Sequence, residues 1–317
     1  MGAGTLTYQE HKDFIAKTML SDNVRMQNIA STVFRTTARI EGKFGANKGQ
    51  SVAFEKWQKL AKATATLGEF NELPLKKPTI KEGTINIAEY GNGVAYTAKA
   101  KSIAEYMVDE KIKRLVTVNS TESMDSVVGE VARACDVFYT PTGTTTSGGT
   151  MDKDGTISTA ATRDLRAFDF LEIAANLRND KISKYDGQNY LAICNPFSMR
   201  ALFNDATVDS QNIEILKWAD PQANLKGELG AGYGFRFVEE TNVLSATMNA
   251  SGFNGEVIIM GDDAIAEAMV MPETVKTEEH NFGRFLAIAW HALTGFSRVW
   301  NYTTDGQYAL VRVWSST

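Results

Sequence analysis

The sequence predicts an α+β protein with at least two lobes, on three observations. Two period-two segments face each other across a polar connection in residues 49–97. One helix with a continuous apolar stripe follows at 119–138. The chain ends in a β-rich tail from Phe285. Alternation every second residue marks half-buried strands, and recurrence every three or four marks an amphipathic helix.

The two alternating segments are GQSVAFEKWQKL and INIAEYGNGVAYT. Val52, Phe54 and Trp57 mark the first, and Ile85, Ile87 and Tyr90 the second. A long two-stranded arm has no core of its own and is marginal in water alone. It therefore needs a surface to lie on, and a second copy of the same chain is the expected surface. Phe54, Trp57, Ile85, Ile87 and Tyr90 are the candidate contact residues.

Before the arm, residues 9–40 read as ragged helical pieces, with Phe14, Ile15, Met19, Ile29 and Val33 among polar residues. Residues 41–51 hold three glycines and read as a joint. After it, Met124, Val127, Val128, Val131, Cys135 and Phe138 form the stripe of the helix at 119–138. Asn119 as cap with Glu122 three residues on has the form of a capping box. Pro141 and TGTTTSGGT end the helix, and 140–160 reads as a flexible loop.

A second helix is expected at 163–180, with Leu165, Phe168, Leu171, Ile173, Ala174 and Leu177 inward. YLAIC at 190–194 reads as a buried strand, and Asn195-Pro196 as the start of a short helix. GELGAGYGFRFV at 227–238 reads as a mobile glycine loop entering a strand, and EVIIM at 256–260 as another buried strand. In the tail, FLAIAWHALTG, FSRVWNY and YALVRVW alternate, and Asp305-Gly306 signals a hairpin. The tail is expected to pair with strands beside the helix at 119–138.

The 317 residues are 43% hydrophobic and 22% charged, enough for one to three domains with a sizeable core. No run approaches the roughly 20 apolar residues of a membrane helix, and the start MGAGTLTYQEHKDF does not read as a secretory signal. That start fits a myristoylation pattern only loosely. Cys135 and Cys194 read as buried, reduced thiols. Net charge is −5, unevenly spread: residues 1–62 carry ten Lys/Arg and five Asp/Glu, so the arm is basic and the body acidic. An acidic body is a poor partner for phosphates, whereas a basic arm on an acidic body suits contacts between copies.

No motif asks for a cofactor or metal. GELGAGYGF lacks the Gly-Lys-Ser/Thr of a phosphate loop and opens a strand where a dinucleotide loop opens a helix. DKDGTIS has its glycine in the fourth place, not the sixth of a calcium loop, and Arg163 stands twelfth. His11, His280 and His291 have no metal-ligand spacing, although His280 follows Glu278 and Glu279. GxSxG is absent and no nucleophile–base pair stands out. Asn119-Ser120-Thr121 matches a glycosylation sequon.

Taken in order, these elements resemble the major capsid protein of tailed bacteriophages, with the Hong Kong 97-type fold. GQSVAFEKW to INIAEYGNGVAYT resembles its extended hairpin loop, and 119–138 its spine helix. YLAICNPFSMRALFND, GELGAGYGFRFVEETNVLS and EVIIMGDDAIAEAMV look like pieces of its axial domain. The resemblance implies an N-terminal arm at 1–48 and an extended hairpin loop at 49–100. It implies a peripheral domain from 101–160 and 286–317, and an axial domain at 161–285. It further implies a coat protein that self-assembles, as hexamers and pentamers, into an icosahedral shell around double-stranded DNA. The partners implied are a portal, a separate scaffolding protein and a cement protein, with only weak, salt-sensitive DNA contact through the basic arm and no membrane. The alternatives are an encapsulin-like compartment shell and a soluble α+β enzyme without a linear motif.

Overall fold

A computed structural model describes residues 5–6, 30, 32–43, 49–64, 66, 72–73, 75–103, 108–143, 148–203, 228–244 and 255–315. The expected helical pieces before residue 30 lie outside them. From 34 to 43 the chain makes one 3-10 turn, Phe34–Thr37, and a strand, β2 (Arg39–Lys43), where helix was expected.

Two sheets and one long helix organise the body. The five-stranded sheet runs β1 (Thr5–Leu6), β5 (Ala88–Thr97), β13 (Phe285–Arg298), β12 (Ile265–His280), β2. β5, β13 and β12 are antiparallel neighbours; β1 and β2 add parallel edges. The seven-stranded sheet runs β7 (Thr150–Asp152), β6 (Phe138–Thr140), β14 (Leu310–Ser315), β11 (Gly255–Met260), β8 (Tyr190–Cys194), β10 (Phe235–Glu239), β9 (Glu228–Gly232). β8 and β11 are buried along their whole length, which is why both read as continuous apolar runs.

After a short helix α1 (Ala98–Ile103), the long helix α2 spans Val108–Arg133, 26 residues and about 39 Å. It starts eleven residues before the expected position, so Asn119 lies mid-helix and caps nothing. Ile112, Val116, Ser120, Met124, Val128 and Ala132 are buried at four-residue intervals. Ser120 hides this stripe in the sequence; inside the helix its hydroxyl donates back to the Thr117 carbonyl, 2.8 Å away. Phe138, expected at the end of the helix, begins β6 instead. The N-terminal half of α2 packs on Tyr96, Leu286, Ile288 and Trp290 of the first sheet. Its C-terminal end packs on Leu191, Ile193, Ile258 and Leu310 of the second. One helix thus ties both sheets together.

Helix α3 (Ala167–Asn179) covers the opposite face of the seven-stranded sheet through Phe170, Ile173, Ala174 and Leu177. It begins four residues after the expected start, where Asp169 accepts the Arg166 amide at 2.9 Å and the Arg163 guanidinium at 2.6 Å. Helix α4 (Pro196–Phe203) starts where expected, with Asn195 Oδ1 accepting the Phe197 amide. The expected glycine loop at 227–238 is a hairpin, β9–β10, turning at Tyr233-Gly234 with φ of 54° and 90°. The edge position of β9 tolerates its glycines.

Asp305-Gly306 does not join two paired strands. It closes a helical turn, α5 (Tyr302–Asp305), with Gly306 left-handed at φ 68°. β13 and β14 therefore part into different sheets. β14 pairs with β6 just beyond α2, as expected of the tail. The longest strand missed in the sequence is β12, whose partner along nearly its whole length is β13. β12 thus lies with β13 in the five-stranded sheet, not in the sheet of β8 and β11.

Candidate intersubunit interface

β3 (Ser51–Trp57) and β4 (Ile80–Asn86) form a separate antiparallel hairpin, register Ser51↔Asn86 to Trp57↔Ile80. Val52 stands opposite Ile85, Phe54 opposite Gly83 and Lys56 opposite Lys81, and these share one face. The second segment is thus split. Its first part pairs with β3, and its second, β5, pairs with β13.

The shared face lies on its own chain. Ile85 is 0% exposed and, with Val52, packs against Ala266, Ala268 and Val299; Phe54 and Ile87 flank them. A Cβ on Gly83 would stand 2.3 Å from the Phe54 ring, so a larger residue there would displace that ring. At the root, a Cβ on Gly295 would stand 2.2 Å from the Asn86 carbonyl, so the hairpin passes β13 at a glycine whose lack of a side chain gives it room.

A buried ion pair locks this placement. Lys56 Nζ donates to Asp305 Oδ2 at 2.6 Å, with both side chains under 10% exposed. Lys81 lies 3.8 Å from the same carboxylate, and Gln58 Nε2 donates to the Asp305 carbonyl at 3.2 Å. Lys56 also stands 5.9 Å from the Trp300 ring centre. The sequence showed no sign of this pair, because 249 residues separate its members.

Trp57 does not line up with Val52 and Phe54. Three residues past Phe54 is the opposite face of a strand, and Trp57 is 58% exposed there, its indole N–H donating to Glu55. Ile80, its partner across the hairpin, is exposed too, as are Leu60, Leu73 and Leu75 of the connection between β3 and β4. Tyr90 sits on β5 against α2, away from the hairpin. Of the five expected contact residues, Trp57 presents the most free apolar surface, while Phe54, Ile85 and Ile87 support the hairpin from beneath.

Arg35 is held by carboxylates. Arg35 makes a bidentate contact with Glu267, 2.5 and 2.7 Å, and the Arg35 amide donates to Asp125 of α2 at 3.0 Å. Asn242 Nδ2 also donates to Asp125, and Glu240 accepts the amides of Asn242, Val243 and Leu244. Burial pushes both carboxyls above the usual carboxylate range, and Asp125 adds repulsion at Glu240.

Other sequence candidates resolve into structural roles. Asp154 is bound by the Thr156 amide and hydroxyl, and Asp152 by Ser158, a plain turn. No metal-holding group of His, Cys, Asp or Glu occurs among the described residues. Asn119 Oδ1 accepts from Trp290 and Asn92, so the sequon lies in a helix–sheet contact. Cys135 and Cys194 are free and buried, and burial pushes the Cys135 thiol up to about 11. Among the described residues no helix is long and apolar enough to cross a membrane.

No family model and no curated protein matches the sequence. Solved structures do match, nearly end to end. The capsid of Ralstonia phage GP4 superposes with TM-score 0.68 at 12% identity, covering 95% of this chain and 96% of that one. The cyanophage Pam1 capsid gives 0.63 at 16%, covering 94% and 96%. The head of Helicobacter pylori bacteriophage KHP40 gives 0.65 at 11%, covering 94% and 95%. On these matches the chain has the Hong Kong 97-type fold of tailed-phage capsid proteins.

Proposed function

We propose that this chain is a major capsid protein whose copies assemble into an icosahedral shell around double-stranded DNA. The single observation that supports this is coverage: capsid structures match about 95% of the chain and of themselves. We read the chain as structural and not as an enzyme. Its arm is 1–48 and its extended hairpin loop 49–86; β5, α1, α2, β12 and β13 form the peripheral part. The seven-stranded sheet with α3 and α4 forms the axial part.

Assembly works by multivalency. Each subunit offers several modest contacts, and simultaneous contacts reinforce one another while misplaced subunits still leave. The exposed far end of the hairpin, where Trp57 stands opposite Ile80, supplies one of them, since large aromatics dominate such interfaces. Hexamers and pentamers of the chain, a portal, a separate scaffold and a cement protein are the partners in this reading. Assembly in the host cytoplasm ends in the virion, and the acidic body leaves the packaged DNA loosely held.

The test is expression of the full chain, alone and with candidate scaffold, followed by sedimentation and negative-stain imaging. Closed shells or curved sheets tens of nanometres across support the proposal. Shells that retain a cellular enzyme favour the encapsulin-like alternative. A stable small species with a bound ligand, unchanged by scaffold, overturns it.

A further inference from the structure

The turn between β12 and β13 carries a side chain with no task in its own subunit. Asn281, Phe282 and Gly283 have φ of 49°, 56° and 79°. The left-handed region is disfavoured for a non-glycine L-residue, and a bulky one is rare there. Phe282 is nevertheless fully exposed at the hairpin's end. A strained backbone presenting an aromatic to solvent is an observation that asks for a partner.

A matching recess exists elsewhere on the same chain. Between β5 and α2 lies a cleft of about 250 Å³ lined by Asn92, Gly93, Val94, Leu115, Val116 and Asn119. Leu115 is exposed at its mouth. Its polar side is rigid: Asn119 Oδ1 accepts from both Trp290 Nε1 and Asn92 Nδ2, at 3.0 and 3.2 Å. Apolar walls with a fixed polar rim suit a single aromatic side chain.

Phe282 of the same chain does not reach this cleft. Gly93 and Val94 pair with Ala289 and Ile288, six or seven residues along from Phe282, roughly 20 Å at strand rise. The charges around the two features are opposite. Glu278 and Glu279 precede the tip, with Arg284 following; Lys111, Lys113 and Arg114, against Glu110, precede Leu115.

We infer that Phe282 of one copy seats in the β5–α2 cleft of a neighbouring copy. The contact joins two different surfaces, so it propagates head to tail and closes only around a symmetry axis. It rests on the shell-forming reading and adds to it a specific contact between subunits. Glu278 and Glu279 face the cations of α2 across the same junction, which steers the approach.

Two variants of the full chain test it. Phe282→Ala removes a side chain that touches nothing in its own subunit, so the isolated subunit unfolds at an unchanged temperature. The concentration needed for assembly rises about tenfold or more. The double variant Phe282→Cys with Leu115→Cys, treated with a short bis-thiol cross-linker, gives chain-to-chain ladders that neither single variant gives; Cys135 and Cys194 are buried and silent. Phe282→Ala shells that form and dissociate like the parent overturn the contact and leave the capsid reading standing. Cross-linking of Leu115→Cys to the 57–80 segment of another copy overturns it equally. If the parent chain never forms shells, the shell reading fails. In that case, absence of the ladder in concentrated solution overturns the contact as well.

Discussion

Replacing Lys56 by Met tests whether one buried ion pair clasps the hairpin to the body. The substitution keeps the length of the side chain and removes its charge. Asp305 is then left 3% exposed with the Asn301 amide at 3.1 Å and Lys81 only at 3.8 Å. Removing one member of a buried pair costs about 3–5 kcal/mol, because the other stays desolvated without its counter-charge. Taking the lower bound, because Lys81 compensates in part, the hairpin opens with about 3 kcal/mol less cost. That is about 100-fold faster hydrogen exchange at amides of the β3–β4 ladder. The amides of Ile87, bonded to Gln50, and Gln58, bonded to Thr79, report the two ends. Exchange in β8 and β11, deep in the other sheet, stays unchanged. Adding Asp305→Asn to Lys56→Met restores part of the protection, since no bare buried charge remains. Hairpin exchange within threefold of the parent in Lys56→Met would refute the clasp.

Three further outcomes follow from the same geometry. Trp57→Ala leaves the isolated subunit's thermal unfolding unchanged, because the indole is exposed, but weakens assembly in sedimentation; normal shells sink its contact role. Ile85→Ala, at a fully buried site, costs about 2–5 kcal/mol in denaturant unfolding of the hairpin-bearing unit; a cost below 1 kcal/mol would mean the site collapses without loss. Asp125 and Glu240 titrate above the usual carboxylate range in the folded chain. Their contribution to stability is therefore present below the ordinary carboxylate pKa and is lost as pH rises through the raised values. Thermal unfolding followed from acid to neutral pH shows this loss, and Asp125→Asn flattens it; an unchanged pH profile in that variant contradicts the assignment.

Local chemistry was enough for the elements whose signal is short-range. YLAIC and EVIIM are buried strands because β-branched and apolar runs flanked by turn residues have no other compact use. Asn195-Pro196 starts a helix because the asparagine oxygen caps it and proline needs no amide bond there. Val52 and Phe54 share a face because strand side chains alternate, and the same alternation puts Trp57 on the other side. The period-two rule thus contained the correction to its own first reading.

Other features depended on residues far apart in the chain. The long helix hides its first eleven residues behind Ser120 and a cluster of charges, and only packing on Leu286, Ile288 and Trp290 shows which side is inward. The sixteen-residue β12 has a mixed sequence, interrupted by Pro272 and by bulges, and is a strand because β13 pairs with it. Asp305-Gly306 is chemically fit for a hairpin, yet it closes a helical turn, since β13 and β14 are claimed by different sheets. By itself the sequence determined the fold class, the buried strands, the existence of the hairpin and the lack of catalytic or metal motifs. Tertiary structure alone decided what the hairpin rests on, through Lys56 and Asp305, and which apolar surfaces remain outside. Burial is a property of the assembled core, and linear spacing cannot state it.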